Sequence, residues 1–446
     1  MNSDVERERL VTKAMASITE DRLRDAAVSV VSIASPTGGE SRLASWLAGR
    51  LTAAGVEGRV QRIDDGQASA AGRLRGDGTG ADLMLYAPID TLTTGDPGQD
   101  LPWIGPELRP DMRAEARCDG PFVSGLGAGN PKGHAACVLV VAEALAALRP
   151  RLAGDLLVAF GAGGMPTDVI DGGASGRSNT GHGVGCSFLL ERGWHADHAV
   201  IAKPGDFVAY EEVGLCWFDI TVPGVHTYAG SRHRLPYSNP IVTAAEVVTR
   251  LERWLAAYPE RHRTATAAPQ GVIGSITGGW ERMPAVTPAA CRIRLDVRIA
   301  PGVTPMETKR EVSAFVAGLS GELGTEPVVE MTLAVPGTRT PPESWIVGSA
   351  IRAWERVSGR PHEPIADNSG ATDANILRAR GIPTARVGMP KVVSPDFEVD
   401  FERGMNTVDV HAMRRLCEVL LRVTVDSTTR IRAGIGGSPA PDDIAS

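Results

Sequence analysis

The chain has few aromatics, few lysines and no clustered cysteine, and each shortage closes off a class of protein. Aromatic residues are 5% of the 446, yet hydrophobic residues reach 43%, with 51 Gly and 31 Pro. That is the composition of a turn-rich globular chain, not of a fibrous or disordered one. The six cysteines, Cys118, Cys137, Cys186, Cys216, Cys291 and Cys417, form no CxxC pair, which argues against a disulfide framework and a thiolate metal cluster and points to a reducing compartment. The N-terminal MNSDVERERLVTK lacks the apolar stretch of a secretory signal, and no later run reads as long enough to cross a bilayer, so a cytoplasmic chain without a membrane partner is expected. A formal net charge of -7 with scattered basic residues leaves no footprint for nucleic acid. Only five of the 46 basic residues are lysines, Lys13, Lys132, Lys203, Lys309 and Lys391, so a lysine inside a motif carries weight.

At this length two domains are expected. Apolar residues recur at helical spacing over Glu20 to Ala34 and Glu40 to Ala54, separated by the turn residues Ser35 to Gly39. Short apolar runs then alternate with helical stretches: Asp82 to Ile89, a helix over Gly133 to Leu148, Asp155 to Phe160, a helix over Val184 to Arg192, and Ala199 to Ala202. This βαβ rhythm predicts a mostly parallel sheet. From Gly214 the pattern becomes an alternating strand, a helix over Asn239 to Tyr258, strands Gly271 to Ile276 and Cys291 to Ile299, and a helix over Pro305 to Leu319. The βα rhythm resumes after Thr325, which predicts a small α+β unit inserted into a larger α/β one.

Ligands of an open parallel sheet bind beyond the carboxyl ends of its strands. Pro88 to Asp90, Gly161 to Met165, Lys203 to Gly205 and Gly388 to Pro390 all fall there. The loop Ser124 to Gly133 opens a helix and offers backbone N–H groups to an anion.

In this order the segments resemble the family of acetylornithine deacetylase, succinyl-diaminopimelate desuccinylase, aminoacylase and carboxypeptidase G, over nearly the whole chain. The resemblance rests on PTGGE ending at Glu40, YAPIDT around Asp90 for GHxDxV, and GLGAGNPKG around Asn130 for GRGxxDxKG. It also rests on GVHTYAG, DVRIAPG, GATDANILRARGIPT, and RGMNT from Arg403 for HxxNE. It implies a mostly parallel mixed sheet flanked by helices, a zinc-peptidase-like catalytic domain over 1–207 and 321–446, and an α+β lid domain over 208–320 that pairs two chains into a homodimer. It also implies a two-zinc hydrolase.

Here the chain departs from the pattern. The positions at which the family holds metal fall on Pro88, Asn130, Lys203 and Arg403, its paired glutamates, base and ligand, fall at about Gly164 and Met165, and Thr407 stands where a further Glu follows. Zinc takes neutral imidazoles, thiolates or carboxylates, and none of these positions supplies one. No metal and no other cofactor is expected. The lid histidine falls on Tyr228, His226 coming two residues early, and the lid asparagine is missing from MPAVTP. Asp90, Lys132, Arg298, Asn406 and the Thr372-Asp373 pair are kept.

Asp90, Lys203, Tyr228 and Arg403 are therefore the candidate catalytic residues, and Asn130, Lys132, Arg298, Thr372 and Asn406 the candidate substrate-binding ones. Asp90 is either a base or a strand-end cap. Lys203 and Arg403 either replace the charge of two metals, holding a carboxylate of a small anionic substrate, or are solvated cations. Tyr228 is a lid donor or a packing residue. Three functions stay open: a metal-independent hydrolase of an amide-type bond; a non-catalytic binding protein for a small acylated amino acid or peptide; and a metallohydrolase whose zinc has moved to residues such as His134, His226 and His233. The stretch Pro166 to Gly183, rich in Gly and Ser, is expected to be a mobile loop over the site.

Overall fold

The computed structural model describes residues 4–167, 179–394 and 397–432. Contacts divide the chain into two units, one of residues 1–210, 340–364 and 372–446, the other of 211–339 with 365–371.

The first unit is built on a six-stranded sheet in the order Arg59–Arg62, Ala68–Leu74, Leu156–Gly161, Leu83–Pro88, His198–Ala202, Thr384–Val387. The first two strands are antiparallel additions and the last four run parallel. LMLYAP, LLVAFG and HAVIA are buried along their whole length, as parallel strands covered on both faces must be. Helix Gly133–Leu148 has fourteen of its 16 residues buried, because it is apolar all round. The wider stretch Ala128–Leu148 is long and apolar enough to cross a membrane, contrary to the sequence reading, but 89% of its apolar window lies inside the fold. The charge it carries, Glu143, is held by Arg22 at 3.0 Å and Arg50 at 2.8 Å.

The second unit is a four-stranded antiparallel sheet in the order Gly271–Gly278, Ala290–Ile299, Gly214–Pro223, Val328–Val335. Helices Pro240–Ala256 and Pro305–Leu323 accompany it, and Phe218, Ile220, Leu251, Ile293 and Val316 fill the core. The end expected at Ser320 falls before the last strand of this sheet. VVEMTLAV pairs with Gly214–Pro223, so the inserted unit reaches Arg339 and also takes 365–371.

Candidate functional site

Asp90 follows the central strand Leu83–Pro88 and is wholly buried. Its Oδ1 accepts from Gly164 N at 2.7 Å, and its Oδ2 from Thr37 Oγ1 at 2.7 Å and Met165 N at 2.9 Å. A carboxylate so engaged holds the chain after Leu156–Gly161 in place. Glu40 works on the same loop: its Oε1 accepts from Gly38 N, Gly163 N and Gln67 Nε2 at 3.0, 2.8 and 3.2 Å. Burial first, and the Asp90 charge second, push the Glu40 carboxyl up to about 8, so it keeps its proton at neutral pH. Gly164 lies so close to Pro88 that a Cβ there would sit 2.5 Å from Pro88 Cβ. Pro88, where the resemblance implies a ligand, and Gly164, where it implies the base, thus leave no room for a side chain between them.

Beside the same strand, Tyr86 donates its hydroxyl to Asp373 Oδ2 at 2.5 Å, in space left by Gly161, where a Cβ would meet the phenol oxygen. Burial and then the Asp373 charge push the phenol well above its usual range. Thr372 Oγ1 accepts from Ala374 N at 3.2 Å and so helps start the helix Ala374–Ala379.

Lys203, just past the strand His198–Ala202, is 6% exposed. Its Nζ donates to Asn130 Oδ1 at 3.0 Å. Asn130 Nδ2 in turn faces Met405 Sδ at 3.4 Å, and Asn406 Oδ1 takes Gly127 N at 2.8 Å. Lys203, Asn130 and Asn406 are therefore brought together by the loop before helix Gly133–Leu148 and by the turn of Phe401–Met405. A recess of about 10 Å³ lies there, lined in part by Thr91, Asn130, Glu402 and Asn406, room for about one water. Glu402 is the titratable residue of its lining, with a carboxyl raised by burial and pulled back by Arg109. Sequence reading missed it, since nothing in RGMNT marks the residue before Arg403.

Lys132 is fully buried, donates to Ile33 O at 2.7 Å, and is brought down to about 7 by burial. Arg403 Nη1 donates to Glu398 O at 3.1 Å, and its guanidinium lies 5.2 Å from the Phe397 ring centre. His134 accepts from Met389 N at 3.4 Å, and burial, then Lys203, hold its ring down to about 3, hence neutral.

Tyr228 and Arg298 belong to the second unit. Tyr228 is 54% exposed and bridges to Val286. Arg298 is paired with Asp296 at 2.8 Å, and its carbonyl accepts from Tyr258. His226 Nδ1 is tied to Thr287 O at 2.7 Å. The loop read over Pro166 to Gly183 lies mostly outside the described residues.

The donors do not fit the two zinc ions that the resemblance implies. An ammonium hydrogen-bonded to an amide stands where two carboxylates would, and Pro88 and Gly164 offer no donor side chain. Among the described residues no three His, Cys, Asp or Glu side chains gather in a metal-holding group.

Residues 210–322 match the peptidase dimerisation domain of the M20 type. The chain is 23% identical over 307 residues to the N-formyl-4-amino-5-aminomethyl-2-methylpyrimidine deformylase of Bacillus subtilis, a match spanning 66% of each chain, just under two thirds of that relative. In structure it is similar to human carnosine dipeptidase 1, with a TM-score of 0.67 and 15% identity over 94% of this chain and 98% of that one. It is also similar to a dinuclear metal-binding peptidase of the M20 family from Bacillus subtilis, with a TM-score of 0.58 and 14% identity over 92% and 99%.

Proposed function

We propose that this chain, a divergent member of the M20 peptidase family, acts without a metal on an amide-type bond of a small carboxylate-bearing substrate. One observation carries the reading: the buried Lys203 ammonium is fastened to Asn130 at two positions where the resemblance implies metal-binding carboxylates. A fixed, buried cation stabilises charge that develops on an amide oxygen. The names of the relatives, deformylase and dipeptidase, both describe cleavage of such bonds.

In this reading Asp90 keeps the loop at Gly164 in place and is not the base. Glu402, on the recess that Asn130 lines, takes a proton from the attacking water and returns it to the leaving amine. Arg403 gives one described N–H to Glu398 O, and the rest of its five donors serve the substrate carboxylate. Lys132, Thr372 and Asn406 hold the frame. The matched dimerisation domain supports a homodimer as the working assembly.

A second reading, binding without turnover, is favoured by the saturated carboxylate of Asp90 and by the lack of any acid from Gly161 to Thr167. One experiment separates the two: protein of measured metal content is incubated with N-acyl amino acids and dipeptides, with and without chelator, and the released amine is quantified. Turnover that survives chelation and falls in Lys203→Met supports the first reading. Binding without amine release supports the second. Turnover only with stoichiometric metal overturns both.

A further inference from the structure

In the first unit, a cavity of about 390 Å³ opens among helix Asp4–Ala16, helix Trp345–Ser358 and the end of helix Val410–Thr428. Five arginines line it, Arg7, Arg352, Arg356, Arg422 and Arg430, against three acids, Asp4, Glu8 and Asp426. Such a surplus is out of keeping with a chain of net charge -7.

The ion pairs show where the surplus lies. Glu8 takes Arg422 through both oxygens, at 2.8 and 3.0 Å. Asp426 is shared by Arg352 at 3.1 Å and Arg430 at 2.8 Å, and Asp4 pairs with Arg7. Arg356 makes no hydrogen bond or ion pair among the described residues; it lies near enough to Glu8 for its charge to help hold that carboxyl below its usual range. Arg352 and Arg430 also lie against the Trp345 ring, each 5.3 Å from its centre, so both forks are braced before any ligand arrives. Val11, Ala353 and Val425 supply an apolar part of the wall.

Planar guanidinium forks match phosphate oxygens two at a time, and the volume falls within the range of small-ligand sites. We propose that this cavity is a binding site for an oligophosphate group, apart from the recess at Asn130. Several phosphates in a row engage Arg356 and the shared pair Arg352 and Arg430 together, which one carboxylate does not.

The test is calorimetric titration of the full chain with inorganic tripolyphosphate at constant ionic strength, with ATP as a second arm. Saturable one-to-one binding in the micromolar range is expected. Arg356→Gln should weaken it by at least about tenfold with an unchanged unfolding temperature, since Arg356 has no partner to lose. Lys203→Met should leave it unchanged. Binding of both ligands identifies a nucleotide-type source, and binding of tripolyphosphate alone a free oligophosphate; either supports the site. No saturable heat below about 1 mM, equal binding by Arg356→Gln, loss in Lys203→Met, or tighter binding of citrate than of tripolyphosphate would each overturn it.

Discussion

Replacing Glu40 by Gln tests the electrostatics of the loop beside the candidate site. Glu40 is wholly buried, its Oε1 holds three donors, and its Oε2 has no partner among the described residues. Its carboxyl stands at about 8 against an ordinary 4.5. The folded chain therefore holds a proton that the unfolded chain releases above about pH 4.5. Stability is fully present below that pH and declines as pH rises to about 8, by about 1.4 kcal/mol per unit and at most about 5 kcal/mol in all. Gln has the same shape and no charge at any pH. It keeps the acceptor and adds one buried N–H without a partner, a cost of about 1 kcal/mol. Glu40→Gln should thus be slightly less stable than wild type at pH 4.5 and more stable at pH 9, the two curves crossing near about pH 5. Thermal unfolding of both proteins across this range reads the difference directly. Parallel curves, or a less stable Gln variant at pH 9, would refute the placement of a protonated Glu40 against a charged Asp90.

The other expectations follow from single contacts. Lys132, at about 7 against an ordinary 10.5, makes stability rise with pH between those values, so Lys132→Met should stabilise most at pH 7 and below, with the gain fading toward pH 10.5 in thermal unfolding. Asn130→Asp would set a carboxylate on the Lys203 ammonium, now 3.0 Å from the amide oxygen; calorimetry should show affinity for an N-acyl amino acid falling about tenfold as the ligand and the introduced carboxylate compete for one cation. Gly164→Ala would press a methyl to 2.5 Å from Pro88 Cβ and should cost about 1–3 kcal/mol in denaturant unfolding.

The large elements were legible because their patterns are local. GHAACVLVVAEALAAL between a Gly-rich loop and Arg149 reads as a buried helix, and the structure begins and ends it at Gly133 and Leu148. ASAAGRL does not read as a strand; its small residues are buried because Ala68–Leu74 lies between Arg59–Arg62 and Leu156–Gly161, a long-range pairing that no window contains. VVEMTLAV alternates plainly, but alternation does not say which sheet a strand joins, and its pairing with Gly214–Pro223 was not legible. At the site, Lys203 and Asn130 were legible as substitutions in motif loops and do meet. The direction of Arg403 was not, being set by Glu398 O and the Phe397 ring. Nor was the partnership of Glu40 with Gly163, 123 residues away along the chain.

The central claim is that the Lys203 cation stands in for metal charge. Its most direct measurement is the affinity of wild type and Lys203→Met for N-acyl amino acids, on protein whose zinc, manganese and cobalt have been quantified. The account predicts far less than one metal per chain, binding that chelation leaves unchanged, and an affinity loss of about tenfold to a hundredfold in Lys203→Met with the fold intact. Stoichiometric metal in the cleft, or a Lys203→Met variant that binds like wild type, would contradict it.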